Sequence, residues 1–306
     1  MKLYRYAFFL FVSLSLIGCL EESHYLHGEF VEMKSSPIII NRDTDEYSLL
    51  KYYDNYNIED LNELSLAGDV EARYLKAVLY LADMGGYGVE RDVDKGVSEL
   101  ESLWREGVVD AGFYLYLIHY QSSIGDDGHD ISLKYLLASA EYGYPRSQQE
   151  LGLAYSGDYL SELVDVDYVR SATWYTRAAE QGDKLSAINL SGLYLRGDGV
   201  DKNLEKSFEW ISKVEDLPFG HEDDGFYSLA NFYEHGIGTD IDLVQAYKYY
   251  DLLSPGSAPD KARIEEKMTP EQIREAIRLS RQWQEEHNIF VSSYYGLEYQ
   301  EDGTFQ

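Results

Sequence analysis

The densest run of side chains that could bind a metal ion is residues 221–224, which read His-Glu-Asp-Asp. Carboxylate oxygens are the ligands that hard cations such as calcium prefer. The run lacks the alternating acids and the glycine of a known calcium loop, so it is also typical of a solvated turn. His24 and His27 have a spacing that suits a metal, but they lie in a segment that we predict to be a tether. We therefore predict no metal site.

Three common catalytic plans lack their local signatures in this chain: the G-x-S-x-G elbow, the G-x-x-x-x-G-K-[ST] loop and the H-E-x-x-H helix. The glycine-rich turns at 197–199 and 236–238 resemble loops that hold a phosphate, but neither follows a predicted strand. We predict no catalytic residue and no cofactor, and hence no enzyme. A hydrolase whose site is assembled from distant residues stays open as an alternative.

The charge of the chain restricts its partners. Its 306 residues include 26 Lys plus Arg and 55 Asp plus Glu, for a formal net charge of -29. Such a surface repels phosphate backbones, and the chain has no basic stripe to offset the repulsion, so we predict no nucleic-acid binding. A protein partner with a basic patch is favoured instead. Some acids have a structural use, because short polar side chains cap helices. The predicted caps are Asp130, Asp167, Asn203 and Asp242.

A repeat of about forty residues organises the chain. Glycines that end a small-residue stretch stand at Gly68, Gly107, Gly143 and Gly182, with spacings of 39, 36 and 39 residues. Periods of this length are typical of solenoids, in which each repeat packs on the next. Apolar residues at three- and four-residue steps indicate two helices in each repeat. Twelve positions beyond the glycines, and once more 39 residues later, come Tyr80, His119, Tyr155, Tyr194 and Tyr233. We expect His119 to be a core residue.

Three short sequences resemble Sel-one-like repeats, which are relatives of tetratricopeptide repeats. They are Gly197-Asp198-Gly199-Val200, Trp174-Tyr175 and Ala178-Ala179-Glu180-Gln181-Gly182. The resemblance covers residues 67–253. Together with the period it predicts an all-α fold, an α-solenoid of about five antiparallel helix pairs. The second repeat lacks the glycine-rich turn.

The ends of the repeat region carry their own signals. Thr269-Pro270-Glu271-Gln272 is a capping box, which predicts a C-terminal capping helix within 254–289. Residues 45–66 are predicted to be a leading helical segment. Residues 290–306 form a tail that is either frayed or packed as a strand, and the pattern does not choose between the two.

The first residues read as a secretory signal. Lys2 and Arg5 precede an apolar run over 7–17, which is too short to span a bilayer. The run ends in Leu-Ile-Gly-Cys19, which resembles a bacterial lipobox. That resemblance implies removal of residues 1–18, a lipid on Cys19 and a place in the bacterial cell envelope, at the outer membrane and facing the periplasm. An ordinary signal peptide with an incidental cysteine is the alternative.

Residues 19–44 follow the predicted anchor and show no sustained periodicity, so we predict a tether. Three consecutive isoleucines, Ile38 to Ile40, are consistent with a short strand or with packing on the first helix.

A candidate protein-binding stripe follows from the resemblance. In tetratricopeptide relatives the residue six positions before the repeat tyrosine often faces the binding groove. The alternative is that these side chains only fill the interior of a tight superhelix. Carrying the offset over gives Tyr74, Phe113, Gln149, Ile188 and Tyr227, with Asn231, Glu234 and His235 nearby.

These observations predict a lipid-anchored envelope scaffold that works by binding another protein. The specific version that we favour is an immunity protein that neutralises a secreted antibacterial effector. An envelope signalling regulator or assembly factor is the first alternative, and the hydrolase is the second.

Overall fold

A computed structural model describes residues 29–44, 58–81, 90–122, 126–157 and 160–291, with 294 and 296. Cys19, His24, His27 and most of the predicted tail lie outside this part. The described chain is helical, as predicted, and contains no strand beyond two isolated β-bridges. In this part every helix is too short or too polar to span a lipid bilayer.

The helices form two compact units, residues 1–167 and 168–306. Within each unit consecutive helices pack in pairs, in the manner of an α-solenoid. The first unit contains α1 Ile58–Leu66, α2 Val70–Leu81, α3 Val93–Arg105, α4 Val109–Ser122, α5 Asp126–Glu141 and α6 Pro145–Ser156. The second contains α7 Tyr168–Glu180, α8 Lys184–Arg196, α9 Leu204–Ser212, α10 Phe226–His235, α11 Leu243–Leu252, α12 Ala258–Glu265 and α13 Pro270–His287.

The repeat tyrosines bind the start of the following helix through the backbone. The carbonyl oxygen of Tyr194 accepts a hydrogen bond from the amide of Asn203 at 2.9 Å. This bond closes the glycine-rich turn between α8 and α9; because it uses the main-chain carbonyl, it does not itself require a tyrosine at that position. The same 2.9 Å bond joins Tyr80 to Asp92, Tyr155 to Asp167, and Tyr233 to Asp242.

Two of the predicted helix caps are confirmed and one is wrong. Asn203 accepts the amide of Lys206 at 2.8 Å, and Asp242 accepts that of Gln245 at 3.0 Å. Each bond satisfies an amide that the first turn of a helix leaves unpaired. Asp130 is not a cap, because it lies inside α5, which already begins at Asp126.

Residues 29–44, predicted to be part of a tether, bind to helices of the first unit. The indole Nε1 of Trp104 donates to the carbonyl of Val31 at 2.6 Å. Ile38 forms a parallel bridge next to α4, and the buried carboxylate of Asp110 accepts two amides of the segment. These bonds use main-chain groups, which every residue carries, so the pattern of side chains contains no sign of them.

The C-terminal helix forms as predicted. Thr269 Oγ1 accepts the amide of Gln272 at 3.3 Å, and Gln272 Oε1 accepts the amide of Thr269 at 2.9 Å, which is the capping box. The helix, α13, packs against α11. Its Trp283 ring lies 5.2 Å from that of Phe226 in an edge contact, inside the core of the second unit. The last helix therefore covers apolar surface of the repeat before it.

Candidate protein-binding face

The first two residues of the predicted stripe lie in the core. Tyr74 has no exposed surface, and Phe113 is 3% exposed. The Tyr74 ring packs edge-on to Tyr114 at 6.0 Å, and the Phe113 ring lies 5.8 Å from Tyr144. Such rings contribute packing and have no surface with which to contact a partner. For these two positions the structure shows the alternative, rings that fill the interior.

Gln149 and Ile188 are half-buried, on α6 and α8. Ile188 lies against the start of α10: a methyl group added at Gly225 would be 3.1 Å from its Cγ1. Ile188 therefore packs against the start of α10, and only part of its side chain is accessible.

One face of α10 remains accessible and carries three predicted residues. Tyr227 is 46% exposed, His235 is exposed and Asn231 is half-buried between them. Four-residue steps place them on one side of the helix. The Nδ1 atom of His235 lies 3.0 Å from the carbonyl oxygen of Asn231, and the Tyr227 ring packs edge-on to Tyr250 at 5.7 Å. We call Tyr227, Asn231 and His235 the α10 face.

Glu234 lies on α10 but points inward, with 5% exposure. Arg263 on α12 donates to both of its carboxylate oxygens, and the Tyr250 hydroxyl donates to one of them at 3.1 Å. Burial opposes ionisation of the carboxyl, but the hydrogen bonds from Arg263 and Tyr250 outweigh it and lower the pKa of Glu234. This predicted site residue therefore joins α12 to α10 and is not offered to a partner.

The acidic run at 221–224 is arranged around a lysine of the chain itself. Lys184 Nζ donates to the carbonyl oxygens of His221 at 3.1 Å and Glu222 at 3.4 Å. Burial lowers the pKa of Lys184, and the nearby acids oppose that shift. Asp224 accepts the amide of His221 at 2.9 Å and closes the turn. Within the described residues no group of three or more His, Cys, Asp or Glu could hold a metal. The sequence analysis missed Lys184, whose burial has no local signature.

His119 is a core residue, as expected. It is 2% exposed and stacks on the Tyr135 ring at 5.6 Å. Burial lowers its pKa to about 4, so the imidazole is neutral near pH 7.

Comparison with known families identifies the repeats. The Sel1 repeat family matches this chain over residues 75–98, 145–183, 185–213 and 227–253. This chain contains Sel1 repeats. The last three stretches coincide with α6 and α7, with α8 and α9, and with α10 and α11. The α10 face thus lies on the first helix of a Sel1 repeat.

Curated relatives are similar to part of this chain, and most of each relative lies outside the aligned part. Chitin synthase regulatory factor 3 of Schizosaccharomyces pombe is 32% identical over 205 residues, which is 64% of this chain and 21% of that protein. The exopolysaccharide production negative regulator of Rhizobium leguminosarum is 36% identical over 97 residues, 28% of this chain and 36% of that protein. This chain thus spans about a fifth to a third of the length of these relatives.

Solved structures include a Sel1 repeat protein from Oxalobacter formigenes. It is 21% identical, with 78% of this chain and 68% of that chain covered and a TM-score of 0.49. A protective antigen of uropathogenic Escherichia coli with an SLR fold is 22% identical, with 74% and 56% covered and a TM-score of 0.42.

Proposed function

We propose that this chain is a non-catalytic regulator that works by binding another protein. The observation that carries the proposal is the set of Sel1 repeats, which are protein-interaction modules. Relatives that are similar to part of this chain are named as regulatory factors for chitin synthase or exopolysaccharide production. Their names suggest the class of role, control of another protein's activity, and do not supply this chain's target.

The α10 face is the surface that we assign to the partner. Its half-exposed ring, Tyr227, has the large rigid area that dominates many interfaces, and Asn231 and His235 add polar groups beside it. The formal charge of -29 favours a partner with a basic patch, since opposite charges speed encounter and exclude anionic competitors.

The place of action that we propose is the bacterial cell envelope, at the outer membrane and facing the periplasm. The support is the lipobox resemblance at Cys19, which lies outside the described residues. Metabolic labelling with a fatty-acid analogue tests the anchor. We expect label on the parent chain and none on Cys19→Ala, and label on both would contradict lipidation at this position.

Site-specific crosslinking tests the α10 face. A photoreactive phenylalanine at Tyr227 should capture the partner in the native envelope, while the same residue at Tyr168, which is 38% exposed, is the matched control. Mass spectrometry then names what is captured. Equal recovery from both positions would contradict the assignment. Tyr227→Ala should lower the yield of a crosslink placed at His235, and an unchanged yield would also count against the face.

The immunity role predicted from the sequence is the second candidate, favoured by the strongly acidic composition together with the predicted anchor. Deleting the gene separates the two roles. A regulator's loss should change envelope output in an isolated culture, whereas an immunity protein's loss should change survival only when neighbouring cells attack.

A further inference from the structure

The turn before α4 holds an extended segment of the chain. The amide of Ile38 donates to the carbonyl of Gly107 at 2.7 Å, and the amide of Val109 donates to the carbonyl of Ile38 at 2.9 Å. These two bonds make a short parallel bridge between the segment and the turn. The residue that binds is apolar and follows a proline, Pro37.

The turn before α8 repeats this arrangement in the second unit. The amide of Phe219 donates to the carbonyl of Gly182 at 3.1 Å, and the amide of Lys184 donates to the carbonyl of Phe219 at 3.0 Å. Phe219 is again an apolar residue after a proline, Pro218. Two unrelated segments thus bind equivalent turns through the same pair of main-chain bonds.

A proline stands directly before the bound residue in both segments. Proline fixes its own φ and holds the residue before it extended, so a proline followed by an apolar residue is preorganised for such a bridge. The glycine of each turn permits close approach: its φ is +106° at Gly107 and +107° at Gly182. A methyl group at Gly107 would lie 2.2 Å from the carbonyl oxygen of Ser36. At Gly182 it would lie 2.9 Å from Pro218.

A third turn of the same kind, before α2, is exposed. Gly68 has a φ of +89°, and a methyl group added there would meet nothing within 4 Å among the described residues. Among the residues that the structure describes, none forms a hydrogen bond with the carbonyl of Gly68 or with the amide of Val70. Beside the turn, Leu66 is 86% and Leu64 is 38% exposed. The turn thus offers the acceptor, the donor and adjoining apolar surface.

The fourth turn, at Gly143, lacks the donor of such a bridge. The position equivalent to Val70 is Pro145, which has no amide proton and cannot donate to a bound segment. Pro145 begins α6 without disturbing it, because the first helical position tolerates proline.

We propose that the turn formed by Gly68, Asp69 and Val70 is a docking site for an extended segment of a partner protein that contains a proline followed by an apolar residue. The segment pairs with Gly68 and Val70 as Ile38 pairs with Gly107 and Val109, and its apolar side chain covers Leu66. This is strand addition, in which main-chain bonds give affinity and side chains give selectivity.

The occupant comes from another protein because this chain has no further segment of the required kind. Of its six prolines, only Pro37 and Pro218 precede an apolar side chain, and both are already bound at the other turns. Exposed acids lie at Asp69, within the turn, and at Glu63, in the last turn of α1, so basic residues flanking the partner's proline fit best. This docking site stands independently of the α10 face, since it rests on the turns alone.

Peptide binding to the full chain tests the site. The probe is a fluorescent synthetic peptide of residues 34–41, Lys-Ser-Ser-Pro-Ile-Ile-Ile-Asn, with one lysine added at each end. The control peptide carries N-methyl-isoleucine after the proline, which removes the amide that donates to Gly68. The protein variant is Val70→Pro, which copies the natural turn at Pro145 and removes the donor in the protein.

We expect the probe to bind saturably. The N-methyl peptide should bind about tenfold more weakly, and so should the probe to Val70→Pro, because each change removes one main-chain hydrogen bond and leaves its partner unpaired. Hydrogen exchange should show new protection over residues 64–72. Three results would each overturn the proposal. They are no saturable binding of the probe, equal affinity for both peptides, and altered protection at residues 103–110 in place of 64–72, which would mean that the probe displaces the chain's own segment from the turn at Gly107. A thermal melt of Val70→Pro checks its fold, and the N-methyl peptide tests the same pairing with the protein unchanged.

Discussion

Asp110 gives the sharpest test of the contact between residues 29–44 and the helices. Its carboxylate has no exposed surface and accepts the amides of Ile40 at 2.9 Å and Asn41 at 2.8 Å. Burial raises its pKa to about 6, while these two amides and the charge of Arg42 oppose the shift. The carboxyl is therefore ionised near pH 7 and takes up a proton in mildly acidic conditions.

The sign of the pH effect follows from this raised pKa. Between pH 4 and pH 6 the folded chain keeps a proton on Asp110 that the unfolded chain has already released, so the free energy of unfolding falls as the pH rises. The move from the ordinary value of 3.8 to about 6 corresponds to about 3 kcal/mol at about 1.4 kcal/mol per unit. Asp110→Asn has no ionisable group and should lack this fall.

Urea unfolding at intervals from pH 4 to pH 7 measures the effect. The difference between the parent chain and Asp110→Asn cancels the contributions of the other acids and should change by about 3 kcal/mol over this range. Asp94→Asn, at an exposed carboxyl on α3, controls for the loss of one negative charge. If the parent and Asp110→Asn profiles run parallel, the carboxyl does not titrate as the buried geometry requires, and the reasoning fails.

Three further predictions concern stability and order. Tyr74→Ala should lower the free energy of unfolding by about 3–5 kcal/mol and Tyr227→Ala by about 1 kcal/mol or less, because only the first ring is fully buried; equal losses by urea titration would contradict this. Glu234→Gln should lower stability by about 1–3 kcal/mol, discounted for the partial exposure of Arg263, and speed hydrogen exchange in α12; unchanged exchange there would refute the link. Lys184→Met should speed exchange in the loop between α9 and α10, and unaltered protection would show that the ammonium does not hold that loop.

The repeat could be predicted from the sequence because particular backbone positions within each helix pair need particular residue types. A glycine is needed where φ is positive, as at Gly182, and a short polar side chain is needed before a helix, as at Asn203. Each of these needs is met within one helix pair, so a single sequence reveals it. The prediction of a cap at Asp130 was wrong because the helix begins four residues earlier, at Asp126. A residue with a preference for the cap position does not locate a helix start when the residues before it are already helical.

Exposure of the candidate stripe could not be predicted from the same signals. Tyr74 and Tyr227 hold the same offset from their repeat tyrosines, yet one is fully buried and the other is half-exposed. The difference comes from neighbours outside the repeat unit: Tyr114, which lies 6.0 Å from the Tyr74 ring, belongs to a helix of the next repeat. A repeat offset therefore locates a position on a helix, and only the packed neighbours decide whether that position faces a partner.

The net charge of the sequence likewise does not show which acids are exposed to a partner. Asp110 and Asp183 have no exposed surface and accept main-chain amides, and Asp251 and Glu234 are buried against cations of the chain itself. These four acids count toward the formal charge but present nothing to a partner. Exposed acids such as Asp69, in the turn at Gly68, are the ones that a partner meets, so salt should slow the association of a basic ligand that docks there. If Asp69→Asn left the salt dependence of peptide association unchanged, Asp69 would not be among the acids that attract the peptide.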